Sequence, residues 1–247
     1  NSFYLLSILF VYCVASLSLL LQPDFGSFAL MSAIALLMIF LISGFTPRLV
    51  LIVTVSFALA AYLVISEPYR LERVQMLFDP WRDRYGSGFQ LIQALIAEGN
   101  GGMFGVGLGA SIQKMLYLPE AHTDFTISIL AEEAGMLGVL FVIFAGIYLY
   151  ILLMNFSLML LKRELRYESY TVFIIANMIF VQLLINIGVN YGVLPTKGVP
   201  LPFMGYGGTS VVVHLMLIGV VLSFFRVLPD AAHESNVFPG NVNRLRP

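Results

Sequence analysis

Charge is what this sequence has least of. Only 11% of its 247 residues are Asp, Glu, Lys or Arg, against 59% hydrophobic, and the formal net charge is −1. With no basic excess to neutralise a phosphate backbone, nucleic acid is excluded as a partner. Cysteine is reduced to Cys13, which forms no disulfide within the chain and no metal site; inside an apolar run it reads as a small core residue. The chain opens at Asn1 without a basic stretch ahead of a short apolar core, so no signal peptide is visible and the first apolar run is expected to be internal to a longer protein.

What replaces charge is long apolar sequence. The mean hydropathy is +0.91, and six runs, 3–22, 27–45, 49–66, 125–154, 170–188 and 208–226, are each long enough to cross a bilayer as a helix. The expected fold class is an all-α integral membrane protein, a polytopic bundle of six transmembrane helices. Residues 1–228 form one transmembrane domain, 67–123 a large extracytoplasmic loop, and 229–247 a cytoplasmic tail. Basic residues set the orientation. Arg48, Lys162, Arg163, Arg166, Arg226, Arg244 and Arg246 fall on one side, whereas the opposite short loops hold only Asp24 and Lys197. Loops as long as 67–123 cross largely regardless of charge, so both termini are expected in the cytoplasm and the long loop outside.

The outer side is where the sequence concentrates its chemistry. "PYRLERVQMLFDPW" (68–81) is amphipathic, and "FQLIQALIAEG" (89–99) is too short to span and reads as an interfacial or re-entrant helix. "GNGGMFGVGLGAS" (99–111) packs six glycines into eleven residues. No strand precedes it and no Lys-Ser/Thr ends it, so it is not a phosphate loop; it is a flexible loop or a backbone packed closely on helices.

"LPEAHTDF" (118–125) then sets Glu120, His122 and Asp124 at the mouth of the fourth run. By position Asp124 reads first as a helix N-cap, a place Thr123 could fill equally well, with catalysis as its second reading. Glu132 and Glu133, two turns into the run, require either a basic partner or a polar cavity holding substrate or metal. Gln182, Asn186 and Asn190 share one helix face and suit helix–helix hydrogen bonding. "NYGVLPTKGVPLPFMGYGGTS" (190–210) has three prolines and five glycines, which forbid a regular helix. Such backbone near membrane depth must be buried in protein or line a water-filled cavity. Lys197 is its one cation, either an anchor for an anion or an interfacial lysine. His214 reads as a satisfied core histidine. Together these groups suit an anionic, amphiphilic substrate handled at the outer leaflet; whether it is moved or reacted on stays open.

"YLPEAHTDFTISILAEEAGMLG" (117–138) and "INIGVNYGVLPTKGVPLPFMGYGGTS" (185–210), with "LQPDFGS" (21–27), "RLERVQMLFDPW" (70–81) and the stretch 86–125, carry a resemblance to the SEDS family (FtsW/RodA/SpoVE) up to about residue 226. "PTKG" inclines it to the division branch; Met204, Gly205 and Thr209 depart from the usual "ISYGGSS" as packing variants. The resemblance implies helices five to ten of a ten-helix fold. It also implies a peptidoglycan glycosyltransferase of the bacterial inner membrane, at the division septum, that polymerises lipid II. Its implied partners are a class B penicillin-binding protein, other divisome proteins and membrane lipid. Asp124 matches the family's essential aspartate, as general base or, with a divalent cation (Mg²⁺ or Mn²⁺), metal-assisted base. Lys197, Arg73 and Lys114 are candidates to hold pyrophosphate, Glu98, Glu120 and Glu132 to support, and Asp24 to line the cavity. Two alternatives compete. A lipid II flippase would need essential groups along the membrane depth, such as His214, Gln182 and Asn186. A non-catalytic scaffold recruiting a transpeptidase would not need Asp124.

Overall fold

The computed structural model describes residues 75–115, 118–196 and 198–227 continuously, together with 25–43 and scattered positions among residues 12–72. Five helices carry the described chain: α1 (Phe25–Ser43), α2 (Phe89–Gly101), α3 (Thr126–Lys162), α4 (Arg166–Asn190) and α5 (Gly208–Ser223), with 3-10 turns at Pro80–Asp83 and Phe224–Val227. Every regular element among the described residues is helical. The chain is therefore an all-helical membrane protein, with α3, α4 and the stretch Gly208–Arg226 long and apolar enough to cross a bilayer. The helix α1 overlaps the expected run 27–45. Cys13, most of the runs 3–22 and 49–66, and the tail 229–247 lie outside the described residues.

α3 and α4 form an antiparallel pair joined by the short turn at 163–165, which is basic only together with the flanking Lys162 and Arg166. Their interface is the main core: Leu153, Phe156 and Leu160 of α3 interlock with Val172, Ile175, Ala176 and Ile179 of α4, closed by Val221 of α5. Near the turn, Ser157 and Ser169 exchange hydroxyl-to-carbonyl hydrogen bonds of 2.9 and 2.8 Å, which lets the two backbones approach closely where no water competes. The outward faces are apolar: Phe141, Phe144, Leu215 and Met216 are all exposed. In water that would be a liability, but against lipid it is the expected surface.

The expected fourth span, 125–154, is longer and less regular than its sequence suggested. It runs to Lys162 and breaks at Gly135, whose φ of 70° and ψ of −171° are non-helical. The glycine-rich loop supplies what the break removes. Met136 and Leu137 donate their N–H groups to the carbonyls of Gly102 (2.9 Å) and Met103 (3.3 Å), while Val106 and Gly107 donate to those of Glu132 (2.9 Å) and Glu133 (3.1 Å). The loop is therefore a closely packed backbone strap, as one of its two sequence readings held. Glycine is required on both sides of this crossing: a Cβ at Gly105 would lie 2.2 Å from the Glu133 oxygen, and one at Gly135 2.5 Å from the Gly105 nitrogen. The shorter helix α2 lays Leu91, Ile92, Ala94 and Ala97 inward and packs mainly on α3.

Gly135→Ala is expected to destabilise the fold by more than the ~1–3 kcal/mol that backbone strain alone costs at such a position, because the new methyl also meets main chain. Gly99→Ala, where a Cβ meets nothing within 4 Å, is expected to be neutral or to stabilise α2 by up to about 1 kcal/mol. Thermal unfolding of both variants in detergent separates a strap held by glycine contacts from a merely glycine-rich loop.

Candidate functional site

Antiparallel pairing of α3 and α4 brings the start of one and the end of the other to the same end of the bundle, opposite the basic turn. The turn 119–124, the loop 191–207 and the strap collect there. The turn is built on one carbonyl: Glu120 O accepts the N–H groups of Thr123 (3.1 Å), Asp124 (3.1 Å) and Phe125 (3.4 Å). Glu120 itself has φ 54°, an uncommon conformation for a residue with a side chain and one that concentrates at functional sites. Its carboxylate accepts the Thr123 hydroxyl at 2.9 Å.

Asp124 sits half-buried at the end of this turn. It is not the N-cap residue of α3: Phe125 occupies that position, and no side-chain cap hydrogen bond forms there. Its backbone is gripped from α4. Its carbonyl accepts the side-chain amides of Asn186 at 2.9 Å and Asn190 at 3.0 Å. The Asn186 amide also donates to Val199 O at 2.8 Å, so one carboxamide ties the aspartate-bearing turn to the "TKGVP" loop. The Asp124 carboxylate faces that loop: a Cβ added at Gly198 would sit 2.9 Å from Asp124 Oδ2. A second tie joins Tyr206 N to His122 O at 2.7 Å.

Glu98 reaches the same network from α2. The Ser128 hydroxyl lies 3.1 Å from Glu98 Oε1 and 2.7 Å from Asn190 Oδ1, and the Ser128 N–H donates to Asn190 Oδ1 at 3.0 Å. Burial raises the Glu98 carboxyl to about 7, opposed by the Ser128 hydrogen bond. Burial, and then the Glu98 charge, push the neighbouring Tyr191 phenol upward. Ser128, Tyr191 and Val199 carried no distinctive sequence signal. Only the spacing of Ser128, one helical turn after Asp124, hinted at a shared face.

The remaining candidates divide. Glu132 is fully buried and is bonded to the Ser111 hydroxyl and to the N–H groups of Ile112 (3.4 Å) and Gln113 (3.2 Å), so its carboxylate anchors the end of the strap. Lys114 is ion-paired with Glu133, the basic partner that one reading of the glutamate pair required. His214 is buried between Gln182 Oε1 and Ser210 O, each at 2.7 Å, a satisfied core histidine. Asp24, Arg73 and Lys197 lie outside the described residues, although Lys197 directly precedes the Gly198 that faces Asp124. Among the described residues no three His, Cys, Asp or Glu gather into a metal site. An apolar groove of about 200 Å³ runs between α3 and α4, lined by Phe141, Tyr150, Leu183 and Phe203. It ends at the loop whose Gly205 lies against Thr123 O.

Asn186→Leu removes the Val199 donor and one of two donors to Asp124. It is expected to cost about 1–3 kcal/mol for a carbonyl left unsatisfied, read as a lowered melting temperature in detergent. Asn177→Leu is expected to cost much less, since the Asn177 side chain bonds only the Phe173 carbonyl one turn back on its own helix.

The chain is 45% identical over 216 residues to a protein of Legionella pneumophila subsp. pneumophila named probable peptidoglycan glycosyltransferase FtsW, covering 86% of this chain and 54% of that one. It is 46% identical over 206 residues to a protein of the same name from Thiomicrospira cyclica, covering 83% and 53%. A solved chain, from a study of the structural coordination of polymerization and crosslinking by a peptidoglycan synthase complex, superposes with a TM-score of 0.62 at 28% identity, over 85% of this chain and 57% of its own. The chain thus spans about half the length of the curated relatives it matches. Residues 1–228 match the family model FTSW_RODA_SPOVE, described as cell cycle protein, and the chain belongs to that family.

Proposed function

We propose that this chain carries the catalytic base of a peptidoglycan glycosyltransferase that polymerises lipid II at the outer face of the bacterial inner membrane, during septal wall synthesis. The observation that carries the reading is Asp124: a half-buried carboxylate at the mouth of the bundle, fixed through its backbone by two asparagines and turned toward Gly198. A group placed so firmly, yet left partly open, suits proton transfer. The relatives named above bear the name of this activity.

The chemistry follows from the residue. A sugar hydroxyl of the acceptor attacks the anomeric carbon of the donor while Asp124 takes its proton. The new bond is carbon–oxygen, and the bond broken joins the anomeric carbon to the lipid pyrophosphate, which leaves with the electron pair. A divalent cation, Mg²⁺ or Mn²⁺, would be held on the protein side by the Asp124 carboxylate, an oxygen donor of the kind hard cations accept, and would supply charge stabilisation for the leaving group. Lys197, next in sequence to Gly198, and Arg73 are the cations assigned to pyrophosphate; Lys114 is a weaker candidate because Glu133 already holds it. The apolar groove between α3 and α4 gives a lipid-linked substrate an apolar path to the turn. The basic turn at 163–165 lies on the cytoplasmic side in this orientation. A class B penicillin-binding protein with other divisome proteins completes the working assembly.

A transporter reading needs polar groups free along the membrane depth. Gln182 and His214 are instead bonded to each other, which favours the polymerase. The test is polymerisation of purified lipid II by the full-length parent protein with its cognate transpeptidase and Mg²⁺ or Mn²⁺. Asp124→Asn is expected to lower the rate by at least about 100-fold at unchanged melting temperature. Equal product from variant and parent would remove Asp124 from the reaction.

A further inference from the structure

We infer that Glu98 is a positioning residue for Asp124: as a neutral carboxylic acid it heads a hydrogen-bond chain, through Ser128 and Asn190, that fixes the Asp124 backbone carbonyl. The inference rests on the reading of Asp124 as the base.

Proton counting carries it. The Ser128 hydroxyl has two oxygen neighbours, Glu98 Oε1 at 3.1 Å and Asn190 Oδ1 at 2.7 Å, but only one proton to give. The orientation of Asn190 is not free, because its Oδ1 must face the Ser128 N–H at 3.0 Å and its amide donates to Asp124 O at 3.0 Å and Asn186 O at 2.8 Å. If Glu98 is ionised, both neighbours of the hydroxyl are acceptors, and one contact lacks a proton. If Glu98 is protonated, every contact is served in one direction: Glu98 O–H donates to Ser128 Oγ, Ser128 O–H to Asn190 Oδ1, and the Asn190 amide to Asp124 O. Aligned chains of this kind strengthen one another in a low-dielectric interior. Ser128 and Asn190 are both fully buried, so water does not make up a missing bond at the centre of the chain.

The surroundings favour the neutral form. No other titratable group lies on α2, whose remaining polar side chains are Gln90, Gln93 and Asn100. From the end of α4 the facing group is Tyr191, a neutral phenol. From α3 the carboxylates are Glu132, bonded to Ser111, and Glu133, bonded to Lys114. Arg82 and Asp83 belong to the Pro80–Asp83 turn, which packs at the distant N-terminal end of α2. No cation among these contacts Glu98, and burial raises it to about 7. The carboxyl therefore gains its proton as pH falls through neutrality and loses it above.

The experiment measures lipid II polymerisation by the full-length protein with its transpeptidase partner, from about pH 5.5 to 9, for the parent, Glu98→Gln, Glu98→Ala and Asp124→Asn. The parent is expected to lose activity as pH rises through about 7. Glu98→Gln, whose amide donates to Ser128 at every pH, is expected to stay within about threefold of the parent at pH 6 and to lack that alkaline limb. Glu98→Ala is expected to fall about tenfold in kcat with KM little changed, since a displaced base slows the reaction without loosening substrate. If Glu98→Gln keeps the parent's alkaline limb while Asp124→Asn is inactive, the positioning role is overturned and the base survives. If Asp124→Asn is fully active, the base and the positioning role both fall.

Discussion

Two carboxamides bear the weight of the mouth of this bundle. Asn186 and Asn190 lie at the end of a helix otherwise surrounded by apolar side chains, and both donate to a single carbonyl on another segment. In water such hydrogen bonds contribute about 1 kcal/mol each, because solvent offers an equal alternative. Buried here, they have no alternative partner, and their geometry is enforced by the cost of leaving it. The turn 119–124, the loop around Val199 and the strap-supported start of α3 are held in mutual register because this pair needs all its acceptors.

Solvent identity explains the distribution of the remaining polarity. Lipid rewards apolar outward faces and satisfied backbone, so α3 and α4 bury few polar groups along their length and these pair off: Ser157 with Ser169, Gln182 with His214. At the end of the bundle opposite the basic turn, polar groups accumulate because the irregular backbone of the turn 119–124, the loop 191–207 and the strap collects there and needs hydrogen-bond partners. The break in α3 belongs to the same logic. An interrupted helix near membrane depth is tolerated only where another piece of protein takes over its hydrogen bonds, and the glycine-rich loop does so by main chain.

Much of this was legible in the residues. Periodicity and run length located α3, α4 and α5, and "FQLIQALIAEG" was recognisably a short helix, observed at Phe89–Gly101. The cluster at 118–125 announced itself by charge alone. Pairing was less legible. Nothing local in "AEEAGMLG" marks Gly135 as a break, because the feature that makes it one is a loop some 30 residues earlier in the chain. Asp124 looked like a cap, since capping preference is local, whereas Phe125 taking that position depends on how α4 grips the turn. Asn186 and Asn190 read as glue between helices; their partners are a turn and a loop, which no helical spacing encodes. Ser128 gave no signal beyond its spacing from Asp124, being an ordinary small residue until Glu98 and Asn190 are seen on either side of it.

The strap joining residues 102–107 to the break in α3 also shapes how this region can vary. Its hold is exerted by backbone groups, so the side chains at Met103, Phe104 and Val106 are not spent on it, and all three are exposed. Sequence drift at those positions leaves the hydrogen bonds untouched, while any methyl at Gly105 or Gly135 meets main chain. The exposed surface beside the mouth can thus change its chemical character without moving the carboxylate behind it.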